Sequence, residues 1–293
     1  MKRLLLSILL IILTLSCFTQ MTMNARHFTA RPDTATVAPG DYSIEYQAVY
    51  NAMTNKPTST IAAHQDTLCR DLVADGLWAE ADAILVFAQY SNSAGEALLQ
   101  WKNPTGTSAS NTNAPTFTSL EGFLYNGSSS YTNTLWNPTD DGSNWLQNDA
   151  AFGMYSRTAG QSAGSSGASD GTTWNTQSPR WTDDNAYISV NGGSFVSTAS
   201  LSGAGFFLIS RTAAGSVDYY VNGNGGTNLG YISTGIGTRD FLIGAFDNNS
   251  TIEEYTARQI SFVYVGGGLT AQESTDLNTA IEKYMDAIGS GVQ

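Results

Sequence analysis

The stretch Gly205-Phe206-Phe207-Leu208-Ile209-Ser210-Arg211, followed after a short turn by Ser216-Val217-Asp218-Tyr219-Tyr220-Val221-Asn222-Gly223, decides the fold. The first segment is almost wholly apolar before it reaches Ser210. In the second segment Val217, Tyr219 and Val221 occupy alternate positions, which is the two-residue period of a β-strand. The two segments together predict an antiparallel hairpin with one strand on each side of the turn.

The closing segments continue this pattern. Phe241-Leu242-Ile243-Gly244 is followed by the run from Ala257 to Val265, which is mainly apolar from Ile260 onward, and then by Leu269-Thr270-Ala271-Gln272-Glu273. Both alternating faces of the apolar run are hydrophobic, so we expect a central strand that is covered on both sides. The strand candidates are 84–90, 97–102, 121–125, 130–134, 150–157, 186–190, 193–198, 204–211, 216–222, 228–233, 239–246 and 254–265. The sequence therefore predicts an all-β fold, an antiparallel jelly-roll β-sandwich.

Helices are predicted at both ends of this sandwich. Over 41–83, apolar residues recur at helical spacing between capping residues, with Pro57 as a stop. Thr270-Ala271-Gln272-Glu273 is a capping box for a C-terminal helix, and we expect its apolar stripe to pack on the helices of 41–83. Residues 158–184 show no strand or helix period, and their Gly/Ser-rich first half predicts a long flexible loop.

Composition and charge restrict the partners. The chain has 293 residues, a formal net charge of −12 and 13% charged residues. Such an acidic chain without a basic cluster repels nucleic acid and anionic lipid. Of the two cysteines, Cys17 lies in the N-terminal segment, so the remaining Cys69 is expected to be a small buried residue on a helix.

The N-terminus is typical of a targeting segment. Lys2-Arg3 precedes an apolar run from Leu4 to Leu15, which is too short to span a bilayer and typical of a signal peptide. Thr14-Leu15-Ser16-Cys17 resembles a bacterial lipoprotein signal, in which the Cys is lipidated, although Thr14 departs from the usual Leu, Val or Ile. Ordinary secretion, or a true start at Met21 or Met23 without a signal, are the alternatives. We divide the chain into a signal peptide (1–17), a linker (18–40), a helical preface (41–83) and a sandwich with a C-terminal helix (84–293).

Four segments, taken in order, resemble one known superfamily. They are Gly122-Phe123-Leu124-Tyr125-Asn126-Gly127-Ser128-Ser129-Ser130-Tyr131-Thr132-Asn133-Thr134, the hairpin from Ser210 to Gly223, Leu242-Ile243-Gly244, and the run from Ile260 to Glu273. They resemble the strand pairs and closing strands of the concanavalin A-like lectin/glucanase superfamily, in its LamG-like jelly-roll branch. This resemblance covers about 84–288; it implies the fold and leaves the chemistry open.

The layout also resembles tail-associated and hypothetical proteins of bacteria and their phages. Trp78-Ala79-Glu80-Ala81-Asp82 matches the end of their helical preface, and Trp101-Lys102-Asn103-Pro104 matches a segment before their sandwich. A structural or receptor-binding role in a phage-like particle is therefore one alternative function.

The residues that glycan-cleaving enzymes of this superfamily need are missing from the sequence. Those enzymes carry an E-x-D-x-x-E strand that pairs two carboxylates, but Glu80-Ala81-Asp82 has Leu85 in the place of the second Glu. Glu253 and Glu254 are adjacent and are expected to face opposite sides of a strand. The two histidines, His27 and His64, provide no positioned triad. We therefore expect no enzyme, with an atypical glycoside hydrolase as a further alternative.

Aromatic residues beside polar groups in predicted loops are the candidates for ligand binding. Aromatic faces can stack on sugar rings while amides and carboxylates hold the hydroxyls. The candidate residues are Trp136, Trp145, Trp174, Trp181, Asp183 and Asp184. For Trp136 and Trp145 the alternative is packing at the sandwich edge, whereas Trp174 and Trp181 flank the Gly/Ser-rich segment.

No cofactor is predicted, and calcium is the alternative. The loop pairs Asp140-Asp141, before Gly142, and Asp183-Asp184 offer oxygen ligands that suit this ion, although such pairs also occur in simple solvated turns. The expected function is that of an exported, non-catalytic surface protein that binds carbohydrate or another cell-surface ligand. Its contact with the membrane would be through a lipid on Cys17.

Overall fold

A computed structural model describes residues 38–293, which form two antiparallel β-sheets and a layer of helices. The strands are β1 (Ala81–Val86), β2 (Ser110–Thr112), β3 (Thr116–Thr118), β4 (Gly122–Leu124), β5 (Tyr131–Asn133), β6 (Ala150–Ser156), β7 (Ser166–Ser169), β8 (Trp174–Ser178), β9 (Asn185–Gly192), β10 (Val196–Ala199), β11 (Gly205–Ala213), β12 (Ser216–Val221), β13 (Asn224–Asn228), β14 (Leu242–Ile243), β15 (Phe246–Asn248), β16 (Thr251–Glu253) and β17 (Gln259–Gly266). The α-helices are α1 (Ile44–Ala52), α2 (Ser59–Ala74), α3 (Leu77–Glu80), α4 (Pro138–Asp141) and α5 (Ala271–Ala287). Short 3-10 helices cover Pro39–Asp41 and Glu96–Leu98.

The two sheets give the jelly-roll sandwich that the sequence predicts. Sheet A has the strand order β13-β12-β11-β6-β17-β4-β3, and β1 also pairs with β17. Sheet B has the order β10-β9-β8-β7-β14-β5-β2, and β15 with β16 joins it at β7. Neighbouring strands are antiparallel except for β15, which runs parallel to β7.

Strand β17 lies at the centre of sheet A and is covered on both sides, as predicted. Val263 and Val265 point into the core between the two sheets. Phe262 and Tyr264 point the other way, into a second core beneath the helices. Sheet A is therefore the middle layer of three, and its two apolar faces explain why this strand lacks a polar side.

The helices at the two ends of the chain pack together on the outer face of sheet A. The Thr270 and Glu273 side chains form the predicted capping box at the start of α5, and Ser43 and Thr58 cap α1 and α2. The Tyr284 hydroxyl of α5 donates to the Ala88 carbonyl at 2.7 Å. The prediction that the C-terminal helix packs on the N-terminal helices is confirmed.

The prediction of a long flexible loop over 158–184 is wrong, because this segment contains β7 and β8, which lie inside sheet B. Gly167 on β7 has φ +130°, and a Cβ there would lie 2.0 Å from the Asn175 carbonyl oxygen. The strand is thus held by close backbone packing between two neighbours, which a search for apolar periodicity does not detect. The strand predicted over 97–102 is also absent; the 3-10 helix Glu96–Leu98 stands there instead.

The structure also tests the prediction made for Cys69. Cys69 is fully buried on α2, as expected, and burial raises the pKa of its thiol well above the ordinary value.

The predicted signal peptide, Cys17 and most of the predicted linker lie outside the described residues. Within 38–293, no helix is long and apolar enough to cross a membrane.

Candidate ligand-binding site

The outer face of sheet B, turned away from sheet A, carries the candidate site. On β9, Ala186, Ile188 and Val190 point into the core between the sheets, so Tyr187 points outward. Ser178 on β8 pairs with Tyr187, and cross-strand partners share a face. Alternation along β8 then places Thr176 and Trp174 on this same outer face.

Four aromatic side chains surround a cavity of about 280 Å³ on this face. They are Trp174, Trp181, Tyr187 and Phe195. None of the four is fully buried, and the Phe195 side chain is 45% exposed. The rings therefore contact each other and still offer surface to a ligand.

The four rings form one continuous series. Trp174 and Phe195 lie 5.8 Å apart between centroids, Phe195 and Tyr187 5.4 Å, and Tyr187 and Trp181 5.7 Å. Successive planes are turned by 70°, 82° and 72°, so the series bends around the cavity and does not form one flat platform. The Trp174 ring also stacks at 5.1 Å on Phe246, which is buried and fixes its position.

Three polar residues, Ser165, Thr176 and Glu254, complete the cavity wall. Thr176 is only 3% exposed, and its hydroxyl has no hydrogen-bond partner among the described residues. A buried hydroxyl without a partner costs about 1–3 kcal/mol. The same sheet leaves the neighbouring Ser178 and Ser189 hydroxyls without a partner among the described residues.

Glu254 reaches the cavity through an unusual backbone conformation. Its φ is +51°, in the left-handed region that residues other than glycine seldom adopt. The backbone N–H of Ser165 donates to the Glu254 carbonyl at 2.9 Å. Gly164, at φ +101°, permits this approach, since a Cβ there would lie 2.4 Å from the same carbonyl oxygen. Non-glycine residues held this way concentrate at functional sites.

The Glu254 carboxyl is electrostatically distinct from its neighbours. Burial raises its pKa above the ordinary value, a hydrogen bond with Ser165 partly offsets this rise, and repulsion from Glu253 adds to it. Glu253 itself accepts a hydrogen bond from Asn248 at 2.8 Å. The two adjacent carboxylates therefore occupy different surroundings, and Glu254 is the one that lines the cavity.

Of the residues proposed from sequence, Trp174 and Trp181 come together in this site, and Asp183 lies directly beside it. The Asp183 carboxylate accepts a hydrogen bond from the Tyr187 hydroxyl at 2.7 Å, which lowers the pKa of Asp183. Asp184 points elsewhere, to Gln161 at 2.8 Å and to Arg180 in an ion pair at 2.7 Å, and these contacts lower its pKa.

Trp136 and Trp145 lie inside the sandwich, away from this cavity. Their side chains are 4% and 1% exposed and belong to the core between the sheets. Both rings make edge-to-face contacts with Phe241 at 5.3 and 5.4 Å, and the Trp145 Nε1 donates to Asn191 at 3.0 Å. Both side chains are thus mostly covered by protein and lie outside the aromatic cavity, and Trp136 borders a different cavity of about 420 Å³.

The acidic pair Asp140-Asp141 is part of the short helix α4. Both carboxylates accept hydrogen bonds from Asn137, at 2.9 Å each, so they close the turn that begins this helix. Within 38–293 no group of three or more histidine, cysteine or acidic side chains is placed to hold a metal ion. Neither this pair nor Asp183-Asp184 belongs to such a group.

Five residues of the cavity wall are not predicted from the sequence, and they include the small polar residues Ser165 and Thr176. The other three are Tyr187 on β9, Phe195 just before β10 and Glu254 just after β16, and the pairing of β9 with β10, of β15 with β16 and of β15 with β7 brings them together. The sequence holds one indication of Tyr187. Ala186, Ile188 and Val190 alternate as the inward face of a strand, so Tyr187 between them must point outward. Nothing local in the sequence indicates that Glu254 joins the aromatic residues.

No protein-family model and no curated protein matches the chain. Among solved structures, it is similar to a mutant of Trypanosoma rangeli sialidase displaying trans-sialidase activity, with 10% identity and a TM-score of 0.48 over 78% of this chain and 39% of that chain. It is also similar to the botulinum neurotoxin serotype D binding domain, with 9% identity and a TM-score of 0.47 over 70% of this chain and 51% of that chain.

A third similar structure is domain 4 of an extracellular GH43 arabinanase from Geobacillus stearothermophilus, in complex with arabinotriose. The identity is 16% and the TM-score 0.41, over 67% of this chain and 99% of that chain. The chain spans about half or less of the length of the first structures it matches. The strand pairing described above establishes the β-sandwich, and these matches add no ligand or activity to it.

Proposed function

We propose that this protein is a non-catalytic surface protein that binds carbohydrate in the aromatic cavity on the outer face of sheet B. The observation that carries the proposal is the cavity walled by four aromatic rings, none of them fully buried, together with the polar residues Ser165, Thr176 and Glu254. Sugars present C–H faces that stack on aromatic rings and hydroxyls that pair with buried polar groups. We also propose that the sandwich belongs to the LamG-like branch, and the support for this is the order of the four segments between Gly122 and Glu273.

Binding without cleavage is part of this proposal. Glycoside hydrolysis uses a pair of carboxyl groups on either side of the scissile bond. Among the described residues that line the cavity, Glu254 is the single carboxylate. The Asp183 carboxylate nearby is held by the Tyr187 hydroxyl. We therefore assign Glu254 a role in holding the ligand.

Export to the cell surface is proposed from the sequence of residues 1–17. A basic start, a short apolar core and Cys17 are typical of a bacterial lipoprotein signal. Mass spectrometry of the mature N-terminus in the membrane fraction tests this. A mature chain that begins at Cys17 with a lipid mass is expected, and an unmodified Cys17 would contradict the anchor.

The test of carbohydrate binding is a glycan array followed by titration calorimetry of the best ligand. Trp174→Ala and Trp181→Ala should each weaken binding by about tenfold or more, because each removes one stacking wall. Tyr90→Ala is the matched control, since Tyr90 is 44% exposed and lies outside the cavity. Failure of the folded protein to bind any glycan, or equal binding by the tryptophan variants, would remove the proposal.

A further inference from the structure

Glu254 is a partly buried carboxylate that forms no ion pair with any residue of 38–293. Ion pairs among residues 38–293 join Asp66, Asp71, Glu121, Asp184 and Asp247 to Arg or Lys side chains, and none includes Glu254. Its side chain has the Ser165 hydroxyl as a hydrogen-bond partner. A carboxylate that is partly removed from water gains most from a cation placed beside it.

The other acidic side chains around the cavity already have partners. Asp183 accepts from Tyr187, Asp184 pairs with Arg180, and Glu253 accepts from Asn248. In this group of described residues, Glu254 is the one that lines the cavity, and its carboxylate has a hydroxyl as its partner and no nitrogen donor. The negative charge directed at a ligand is therefore localised at one point of the wall.

The aromatic wall suits a compact cation. A cation is attracted to the face of an aromatic ring when it lies within about 6 Å of the ring centroid. Because successive rings are turned by 70–82°, they approach the cavity from several directions. Rings on several sides together with one carboxylate form the type of cage that recognises ammonium groups.

We infer that the cavity binds a ligand carrying an ammonium group, with the positive charge set between the aromatic rings and the Glu254 carboxylate. That the ligand is a sugar rests on the proposed function. Given a sugar, the ammonium group identifies the ligand as an amino sugar with a free amine. The net charge of −12 favours cationic ligands over uronic or sialic acids. The cavity of about 280 Å³ has room for a group of monosaccharide size.

The test compares three probes on the full chain by titration calorimetry. They are an oligosaccharide of glucosamine, the N-acetylated oligosaccharide of the same length, and tetramethylammonium chloride. Acetylation removes the charge and leaves the sugar backbone, so the free-amine oligosaccharide is expected to bind at least about tenfold more tightly.

Each outcome separates this inference from the proposed function. Equal or tighter binding of the N-acetylated sugar overturns the inference and leaves carbohydrate binding in place. Binding of tetramethylammonium with no binding of either oligosaccharide supports the ammonium site and overturns the carbohydrate proposal. Binding of none of the three probes overturns the inference and, when the array is also negative, the carbohydrate proposal.

Glu254→Gln tests the assigned charge directly. This substitution keeps the size and the hydrogen-bonding capacity of the side chain and removes its charge. The tenfold preference for the free amine should fall to about twofold or less. Glu253→Gln, one residue away and outside the cavity wall, is the matched control and should retain the preference. A Glu254→Gln protein that melts like the wild type and still prefers the free amine would overturn the inference.

Discussion

The Tyr187 hydroxyl donates a hydrogen bond of 2.7 Å to the Asp183 carboxylate, which ties a wall of the aromatic cavity to the loop before β9. Asp183 also accepts from the Asn185 backbone at 3.1 Å, so the loop holds the carboxylate in place. The Tyr187 ring makes edge-to-face contacts with both Trp181 and Phe195. Asp183 thus orients the ring at the middle of the series and acts on the site through Tyr187.

The first prediction concerns this hydrogen bond. Tyr187→Phe keeps the ring and loses the hydroxyl, and Asp183→Ala loses the acceptor, so each should weaken ligand binding a few-fold by loosening the ring. The double variant should be no weaker than either single variant, because both remove the same contact. Titration calorimetry of the three proteins measures this, with Asp184→Ala as the control that keeps wild-type affinity. Effects that simply add in the double variant would show that the two residues act separately.

The second prediction concerns pH. Burial raises the Glu254 pKa, so its carboxylate is neutralised at a higher pH than an ordinary glutamate, in an environment that includes Glu253, Ser165 and Tyr187. A ligand amine stays protonated as the pH is lowered. Affinity for the free-amine sugar should therefore fall as the pH drops through the raised pKa, whereas Glu254→Gln should show no such fall.

The stability of the free protein should respond to the same titration in the opposite direction. A carboxyl group whose folded pKa is raised binds its proton more tightly in the folded state. Its contribution to stability is therefore present at low pH and is lost as the pH rises through the folded value. Thermal melts across this range, compared with Glu254→Gln, should isolate this contribution, and identical pH profiles for the two proteins would contradict it.

The third prediction concerns the close backbone packing of β7. Gly167→Ala forces a side chain into a φ of +130° and places Cβ 2.0 Å from the Asn175 carbonyl oxygen. The free energy of unfolding should fall by about 3 kcal/mol or more. Gly160→Ala is the matched control, because a Cβ at Gly160 meets nothing within 4 Å, and it should change stability by less than about 0.5 kcal/mol. Denaturant unfolding of both proteins makes the comparison, and equal midpoints would refute it.

The fourth prediction concerns the helical layer. Tyr284→Phe removes the hydrogen bond to the Ala88 carbonyl and the contact with Gln65 in a buried site. It should lower the free energy of unfolding by about 1–3 kcal/mol, because a buried acceptor loses its donor. Ligand affinity should stay at the wild-type value, since sheet A separates this layer from the cavity. Tyr90→Phe serves as an exposed control, and a loss of affinity in Tyr284→Phe would contradict the separation.

The apolar pattern was sufficient to predict the centre of the fold. Strand β17 has hydrophobic residues on both faces because it lies between two cores, and α5 is fixed by the capping box at Thr270 and Glu273. The two apolar faces of β17 and the capping box of α5 are each visible in the residues of one short segment. The sequence of that segment alone is therefore enough to predict each of them.

Strands β7 and β8 could not be predicted in the same way. Ser166–Ser169 has no large apolar residue, and its burial comes from hydrogen bonding and close packing with neighbouring strands. Trp174 and Trp181 were recognised as site candidates because they stand among small polar residues. Glu254 could be added to them only once strand register was known, because the contact with Ser165 joins parts of the chain that are far apart in sequence.

The contact between Gln65 and Tyr284 joins residues 219 positions apart. Loop-closure entropy opposes contacts over such separations until the intervening chain is ordered, and folding slows as the mean separation of contacts rises. The pairing of β1 with β17, where Ala81 lies opposite Gly266, carries the same kind of cost. Whenever α5 is undocked, the apolar surface that it covers in the folded protein is open to solvent, and exposed surface of this kind favours aggregation.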